Sequence, residues 1–242
     1  LQTINFNRYH NIVILTGAGI SVASGIRPFR GENGLWNEID PLEYVEFSLL
    51  ETNPSAIWQF NNDLREKIAI ARPNIAHLKL AEFEAQLSAN QKFTLITQNC
   101  DGLHQHAGSK NVIEIHGNVE RTRCNNPACS LKPYIDKEPH QDLPMCSLCG
   151  SLLRPDTVLF GEHLPIQEEW LVKKALRNCD LFIAIGTSGT VSPASNYVRS
   201  ADYAGARTIL INLEPMEPKN PYFHEEYLGL AEEIVPLIFD MK

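Results

Sequence analysis

Asn11-Ile12-Val13-Ile14-Leu15-Thr16-Gly17-Ala18-Gly19-Ile20-Ser21 is a short apolar run that ends in a glycine turn and opens onto a helix start. A buried strand followed by Gly-x-Gly is how many α/β units bring backbone N–H groups to a phosphate. The glycines let the chain come close to a pyrophosphate, and the helix start offers unpaired donors. Alone, the motif suits a structural glycine turn equally well. Val22 stands where the dinucleotide fingerprint has its third glycine, and no second strand with an acidic ribose hook follows about 20 residues on. Both departures count against a hydride-transferring dehydrogenase.

The same pattern recurs along the chain. Lys92–Thr97 ends in Gln98-Asn99-Cys100-Asp101, and residues 112–115 end in His116-Gly117-Asn118. Residues 180–185 end in Gly186-Thr187-Ser188, and residues 207–211 end in Asn212-Leu213-Glu214. Residues 233–238, interrupted by Pro236, offer a sixth element. Helical periodicity fills residues 55–71, 77–88, 168–177 and 194–204. Apolar strands alternating with helices predict an α/β fold, a Rossmann-like parallel sheet with helices on both faces. Ligands of such sheets bind beyond the carboxyl ends of the strands. Gly17, Asn99, Asp101, His116, Ser188 and Asn212 should therefore converge on one crevice.

Two segments break the rhythm. Residues 31–71 have helical content without a strand, and residues 119–153 are rich in Cys, Pro and polar residues. The expected organisation is a large domain made of residues 1–30, 72–118 and 154–242. A small domain would combine a helical module (31–71) with a zinc-binding module (119–153). Cys124-x4-Cys129 and Cys146-x2-Cys149 have the spacing of a closed tetrahedral zinc site, which leaves no position for a reacting water and is structural. Cys100 and Cys179 have no close partner in sequence; Cys179, before a strand, reads as a small buried apolar residue.

The 242 residues are 43% hydrophobic, enough for a full core and too apolar for disorder. The net charge of −8 argues against direct nucleic-acid binding and against anionic lipid, and is compatible with a cationic peptide. No stretch approaches the ~20 apolar residues of a membrane span, and no secretory signal is visible. Six cysteines, four of them in close pairs, suit metal binding in a reducing compartment, so a cytoplasmic monomer is expected.

His116, at a strand tip facing the crevice, has the imidazole a general base needs near neutral pH. Asn99 and Asp101 share one face of an extended segment and suit a carboxamide or ribose hydroxyls; the plainer reading of Asp101 is a cap for the helix that follows Gly102. His104 and His106, two residues apart on a helix, point to different faces and make no metal site with Asp101.

Together these motifs resemble the sirtuins, NAD-dependent protein deacylases, over nearly the whole chain. The matching segments stand in family order: Gly17-Ala18-Gly19-Ile20-Ser21, Ser24-Gly25-Ile26-Arg27-Pro28-Phe29-Arg30-Gly31, Thr97-Gln98-Asn99-Cys100-Asp101, Leu103-His104, Ala107-Gly108 and His116-Gly117. They continue through Arg154-Pro155-Asp156, Phe160-Gly161-Glu162, Gly186-Thr187-Ser188 and Asn212-Leu213-Glu214. The resemblance, of bacterial type, implies NAD+ as a consumed cosubstrate, one structural Zn2+ and an acyl-lysine protein or peptide as substrate. The acyl group would pass to ADP-ribose with release of nicotinamide. His116 becomes the base on a ribose hydroxyl. Gln98, Asn99 and Asp101 would hold the ribose and carboxamide, and Ala18, Ile26 and Phe29 would line the nicotinamide pocket. Gly17, Gly19, Arg30 and Ser188 would face the phosphates and Asn212 the adenosine, and Gly186, Thr187 and Glu214 would also bind the cofactor. Val158, Phe160, Gly161 and Glu162 would pair with the peptide backbone as an added strand. A mono-ADP-ribosyltransferase on the same fold, or a non-catalytic NAD- and zinc-binding module, is the alternative.

Two departures bear on the substrate. Cys100 replaces the usual Ile or Val. Pro28-Phe29-Arg30-Gly31 and Gly34-Leu35-Trp36 are similar to the branch that removes succinyl and malonyl groups, which carries Tyr-x-x-Arg after a Phe to bind the acyl carboxylate. Aligned on Phe60, this chain has Asn61 and Leu64, and Arg65 lies about 100° further round the helix. Uncharged acyl groups are therefore expected, acetyl foremost.

Overall fold

The computed structural model describes residues 4–31 and 34–240. Residues 1–3, 241 and 242 of the expected large domain and residues 32 and 33 of the expected helical module lie outside the described residues. The strands in chain order are β1 (Asn11–Thr16), β2 (Lys92–Thr97), β3 (Val112–Glu114), β4 (Gly117–Cys124), β5 (Tyr134–Ile135), β6 (Leu153–Thr157), β7 (Leu181–Ile185), β8 (Arg207–Asn212) and β9 (Glu225–Leu228). The α-helices are α1 (Leu49–Thr52), α2 (Pro54–Ile70), α3 (Ile75–Gln86), α4 (Leu103–His106), α5 (Ile166–Arg177), α6 (Tyr197–Tyr203) and α7 (Ala231–Ile238).

Six strands form one parallel sheet in the order β3-β2-β1-β7-β8-β9. Successive side chains of a strand point to opposite faces, and both faces here are covered. Ile12 and Ile14 of β1 pack with Leu80 and Phe83 of α3 and Val235 and Ile238 of α7. Val13 and Leu15 join the opposite cluster with Val172 and Leu176 of α5 and Val198 and Ala201 of α6. Burial on both sides is why these strands read as unbroken apolar runs.

The sixth strand is not where the sequence suggests. Residues 233–238 belong to α7, whose Ala231, Val235 and Ile238 recur at helical spacing and face the core. The edge of the sheet is instead β9, paired with β8 from Ile209↔Glu225 to Asn212↔Leu228. Its Glu225-Glu226 pair hides it from a hydropathy reading, yet charge on an edge strand discourages pairing with other chains. The segment after Gly17 also differs from expectation. It is a 3-10 helix, Ala18–Ser24, closed by Gly25 in the left-handed region, rather than an α-helix.

A second, three-stranded antiparallel sheet has the order β5-β4-β6. It begins at Gly117, one residue after His116, and returns through Thr157, so it reaches beyond both ends of residues 119–153. Helix α2 braces it: Trp58 Nε1 donates to the Leu153 carbonyl at 3.0 Å. Buried Arg65 donates to the carbonyls of Val119 (2.9 Å) and Glu138 (2.7 Å) and to Thr122 Oγ1 (2.9 Å). No helix among the described residues is long and apolar enough to cross a membrane.

Candidate active site

Two glycine turns meet at the carboxyl ends of β1 and β7. Gly17 N–H donates to the Ile185 carbonyl (3.0 Å) and Gly19 N–H to that of Gly186 (2.9 Å). A Cβ on Gly17 would lie 2.7 Å from Gly186 O, and one on Gly19 2.7 Å from Gly186 Cα. The missing side chains thus make room for the second turn, whatever else approaches. Among the described residues the amides of Ala18, Thr187 and Ser188 donate to no backbone acceptor, and all three residues line the cleft above the turns. Free N–H groups on facing turns form an anion cradle.

The cleft encloses about 940 Å3, within the range of roughly 300–1,000 Å3 usual for cofactor sites. It brings together Gly17, Ala18, Gly19, Phe29, Arg30, Gln98, Asn99, His116, Gly186, Thr187, Ser188, Asn212 and Glu214. Val158, Phe160, Gly161 and Glu162 stand on its other side. Ile26 and Asp101 are not among its lining residues. Asp101 lies beneath the floor. Its Oδ2 accepts from Ser21 Oγ (2.7 Å) and its Oδ1 from Leu103 N–H (3.0 Å), the first amide of α4, whose N-cap position is held by Gly102. Burial raises its carboxyl above the usual range despite these two donors.

Ser21 is the hub of this floor, a role its place in the motif does not reveal. Its hydroxyl accepts from Asn99 Nδ2 (3.2 Å), while the same Nδ2 also donates to the Gly17 carbonyl (3.0 Å). His77 closes the network. Its Nδ1 accepts from Asn74 N–H (3.4 Å), so Nε2 carries the proton toward Ser21 Oγ (3.4 Å). Burial pushes the His77 imidazole down to about 4, which keeps it neutral. A histidine at the third position of a capping box, after Asn74, was the available sequence signal. Gln98 is held by Nε2 donation to Thr187 Oγ1 at 2.9 Å.

His116 follows β3. Its Nδ1 lies 2.9 Å from the Gln98 carbonyl, which can only accept, so Nδ1 carries the hydrogen and Nε2 keeps a lone pair. Burial lowers the pKa of His116 below the ordinary imidazole value, against a smaller opposing effect of the Gln98 bond. The ring is neutral at pH 7 and has the tautomer a base requires. Gly117 must be glycine: its φ is +78°, and a Cβ would fall 2.0 Å from Asp156 O on β6.

Residues 158–162 are largely committed within the protein. Val158 N–H donates to His116 O (2.9 Å), Phe160 N–H to Val45 O (2.7 Å), and Phe160 O accepts from Phe47 N–H (2.9 Å). Glu162 is no free substrate ligand. Buried Arg154 donates to both its oxygens (3.0 and 2.9 Å), Arg123 to one (2.8 Å), and Leu159 N–H to the other (3.0 Å). These bonds hold its carboxyl below the usual range despite burial.

Away from the cleft, the sulfurs of Cys124, Cys129, Cys146 and Cys149 lie within 4.8 Å of one another, the sole such group of potential metal ligands among the described residues. Cys124–Cys149 (3.5 Å) and Cys129–Cys146 (3.7 Å) approach the separation of about 3.8 Å that tetrahedral Zn–S bonds of ~2.3 Å impose. The four cysteines fit a structural zinc ion. His104 faces Thr16 (2.9 Å) and His106 faces Glu120 (3.2 Å), so they share no site.

Residues 17–193 match the model of the Sir2 family, from the first glycine of the turn through the loop after Gly189. The chain belongs to the Sir2 family. The NAD-dependent protein deacylase of Aquifex aeolicus is 44% identical over 84% of this chain and 84% of its own length. The NAD-dependent protein deacylase of Pasteurella multocida is 41% identical over 93% and 94%. Among solved structures, a complex of a Sir2 homologue with NAD superposes with a TM-score of 0.86 at 36% identity, covering 96% of this chain and 88% of the other. A Sir2 protein with a deacetylated p53 peptide and 3'-O-acetyl-ADP-ribose superposes at 0.83, 32% identical over 95% and 92%.

Proposed function

We propose that this chain is an NAD-dependent protein-lysine deacylase, with acetyl-lysine its foremost substrate. The observation that carries the reading is His116. It is a neutral imidazole with its Nδ1 proton fixed on Gln98 and a free Nε2, set in the wall of a cleft whose floor is an anion cradle. Sir2-family relatives named as NAD-dependent protein deacylases support it over 84% and 93% of the chain.

Bound NAD supplies a ribose that releases nicotinamide and takes up the acyl group, so that NAD, acyl-lysine and water yield nicotinamide, free lysine and O-acyl-ADP-ribose. The chain's own residues do the rest. The amides of Ala18, Thr187 and Ser188 and the exposed Arg30 hold the phosphates. Asn99 and Gln98, locked by Gly17, Ser21 and Thr187, position the ribose end. His116 Nε2 accepts a proton from a ribose hydroxyl. Phe29, with Trp36 stacked on it at 5.0 Å, shields that end from water. Asp101 acts from outside the lining: it orients Ser21, and Ser21 orients Asn99. Gly161 offers the peptide a backbone N–H and C=O that have no partner among the described residues.

Arg65, on the same helix as Phe60, is turned into the small sheet and offers an acyl carboxylate nothing, and Arg30, whose guanidinium lies 6.0 Å from the Phe160 ring, is assigned to the phosphates. Uncharged acyl groups follow. The zinc clip is structural, and its paired thiolates suit the reducing cytoplasm. The deciding experiment is mass spectrometry of an acetyl-lysine peptide with and without NAD, scored for peptide and nicotinamide. NAD-dependent deacetylation with stoichiometric nicotinamide is expected. Nicotinamide release with ADP-ribose attached to protein would establish the transferase instead, and no release would leave a binding module.

A further inference from the structure

One wall of the cleft is a compartment of apolar side chains, of which the chemistry above uses only Trp36, stacked on Phe29. Trp36 stacks on Phe60 with centroids 5.6 Å apart and meets the Phe160 ring edge-on at 6.5 Å. Val45, bonded through its backbone to Phe160, and Leu64 complete the lining. Phe160 lies two residues from Val158, whose N–H is bonded to the carbonyl of His116, so the compartment stands next to the base. An apolar compartment beside the reacting centre suits the apolar part of the substrate, its acyl chain.

One polar group interrupts it. Asn61 lies on α2 between Phe60 and Leu64, lines the cleft and is 1% exposed. Its Nδ2 donates to the Ile57 carbonyl at 2.8 Å. A carbonyl only accepts, so the orientation of the carboxamide is settled: nitrogen toward Ile57, Oδ1 on the opposite side. Among the described residues nothing donates to that oxygen. The nearest cation in sequence, Arg65, is spent on Val119, Glu138 and Thr122. The buried side-chain atoms without a partner among the described residues belong to His104, Ser109 and Arg154, so Asn61 Oδ1 touches the water of the cleft. An acyl chain that displaces this water without bringing a donor leaves the oxygen bare, which is unfavourable. The oxygen is in place for a donor that arrives with the substrate.

We propose that Asn61 Oδ1 accepts a hydrogen bond from a hydroxyl on the acyl chain, so that this enzyme prefers hydroxyacyl-lysine to the unsubstituted acyl-lysine of the same length. The inference rests on the deacylase reading. An amide oxygen does not donate, so it discriminates in one sense. A hydroxyl satisfies it, a methylene leaves it bare, and a carboxylate sets acceptor against acceptor. Sites that hydrogen-bond a substrate hydroxyl reject the analogue that lacks it because their own polar group is then left unpaired.

The test compares kcat/KM for two matched peptide pairs with NAD: propionyl against 2-hydroxypropionyl, and butyryl against 3-hydroxybutyryl in both enantiomers. An acetyl peptide serves as reference. The wild type should favour the hydroxylated member of at least one pair by about tenfold, the worth of one hydrogen bond to an acceptor that the bound acyl chain shuts off from water. Asn61→Leu and Asn61→Ala should erase or invert that ratio. Because each ratio is measured within one protein, partial misfolding of a variant cancels. Equal or reversed preference in the wild type, or a preference that survives in both variants, overturns the role of Asn61 while leaving the deacylase intact. Absence of nicotinamide release from every peptide, acetyl included, overturns both.

Discussion

The six-stranded sheet buries rows of isoleucine, leucine and phenylalanine on both faces, whereas the buried apolar cluster around the cysteines is Trp58, Cys124, Cys146 and Leu153. The small sheet is held by other means: four thiols at one end, and guanidinium groups along it. Arg65 binds backbone carbonyls, Arg154 grips Glu162, and Arg121 bridges Glu114 of β3 (2.8 Å) to Asp156 of β6 (2.8 Å). One strand, β4, joins the two regimes, with His116 before its first residue and Cys124 as its last. The large sheet supplies a rigid floor through the hydrophobic effect. The small sheet, too thin to bury a core, relies on directed polar bonds and on the metal that its four cysteines fit, and so its stability depends on metal supply.

The largest break of that contrast is removal of the metal. A strong chelator, or Cys146→Ala, should abolish deacylase activity and unfold the small sheet, while the large sheet keeps a cooperative thermal transition. Loss of both transitions together would show that the two regions fold as one. His116→Ala should lower kcat about 10^2–10^4-fold with an unchanged melting temperature, since its neighbours in the large sheet keep their packing. Arg154→Leu leaves Glu162 with Arg123 as its remaining cation. It should destabilise by about 3 kcal/mol, the low end for breaking a buried pair, and raise the peptide KM through a loosened 158–162 segment.

Acid should act on the large sheet through its buried histidines. Unfolded His77 takes a proton near 6.5, the folded residue only at about 4. The unfolded state therefore binds more protons between those values, and stability falls as pH drops through the window, by about 3 kcal/mol. His104 and His116, also lowered by burial, add in the same direction. Denaturant midpoints across this range should show the slope, and His77→Gln should reduce it. The pH–rate profile should fall on the acid side below 6.5, where His116 protonates. The smallest effect belongs to Cys100→Val: the thiol donates to the His116 carbonyl at 3.2 Å, and burial keeps it protonated. Loss of about 1 kcal/mol or less is expected, with activity retained.

Five parallel strands, the helices between them and the cysteine clip are legible in the sequence, because doubly buried strands are apolar throughout and zinc ligands come in close pairs. So is His116, at the tip of such a strand. The β9 edge is not legible, since its Glu225-Glu226 pair carries no hydropathy signal, and 233–238 mimics a strand while packing as α7. Local pattern states which residue types stand at a strand end. It does not state which of them turn up into the cleft and which turn under it. Asp101 binds the first amide of α4 beneath the floor, Glu162 is consumed by Arg154, and Gly17 and Gly19 are required by Gly186, more than 160 residues away in the chain. Asn61 presents an acceptor to the cleft because Ile57 takes its nitrogen and no donor among the described residues reaches its oxygen. The apolar periodicity of the chain determined the sheet. The tertiary structure decided the chemistry of the cleft, because hydrogen-bond satisfaction of a buried polar group depends on partners that only folding brings within 3 Å.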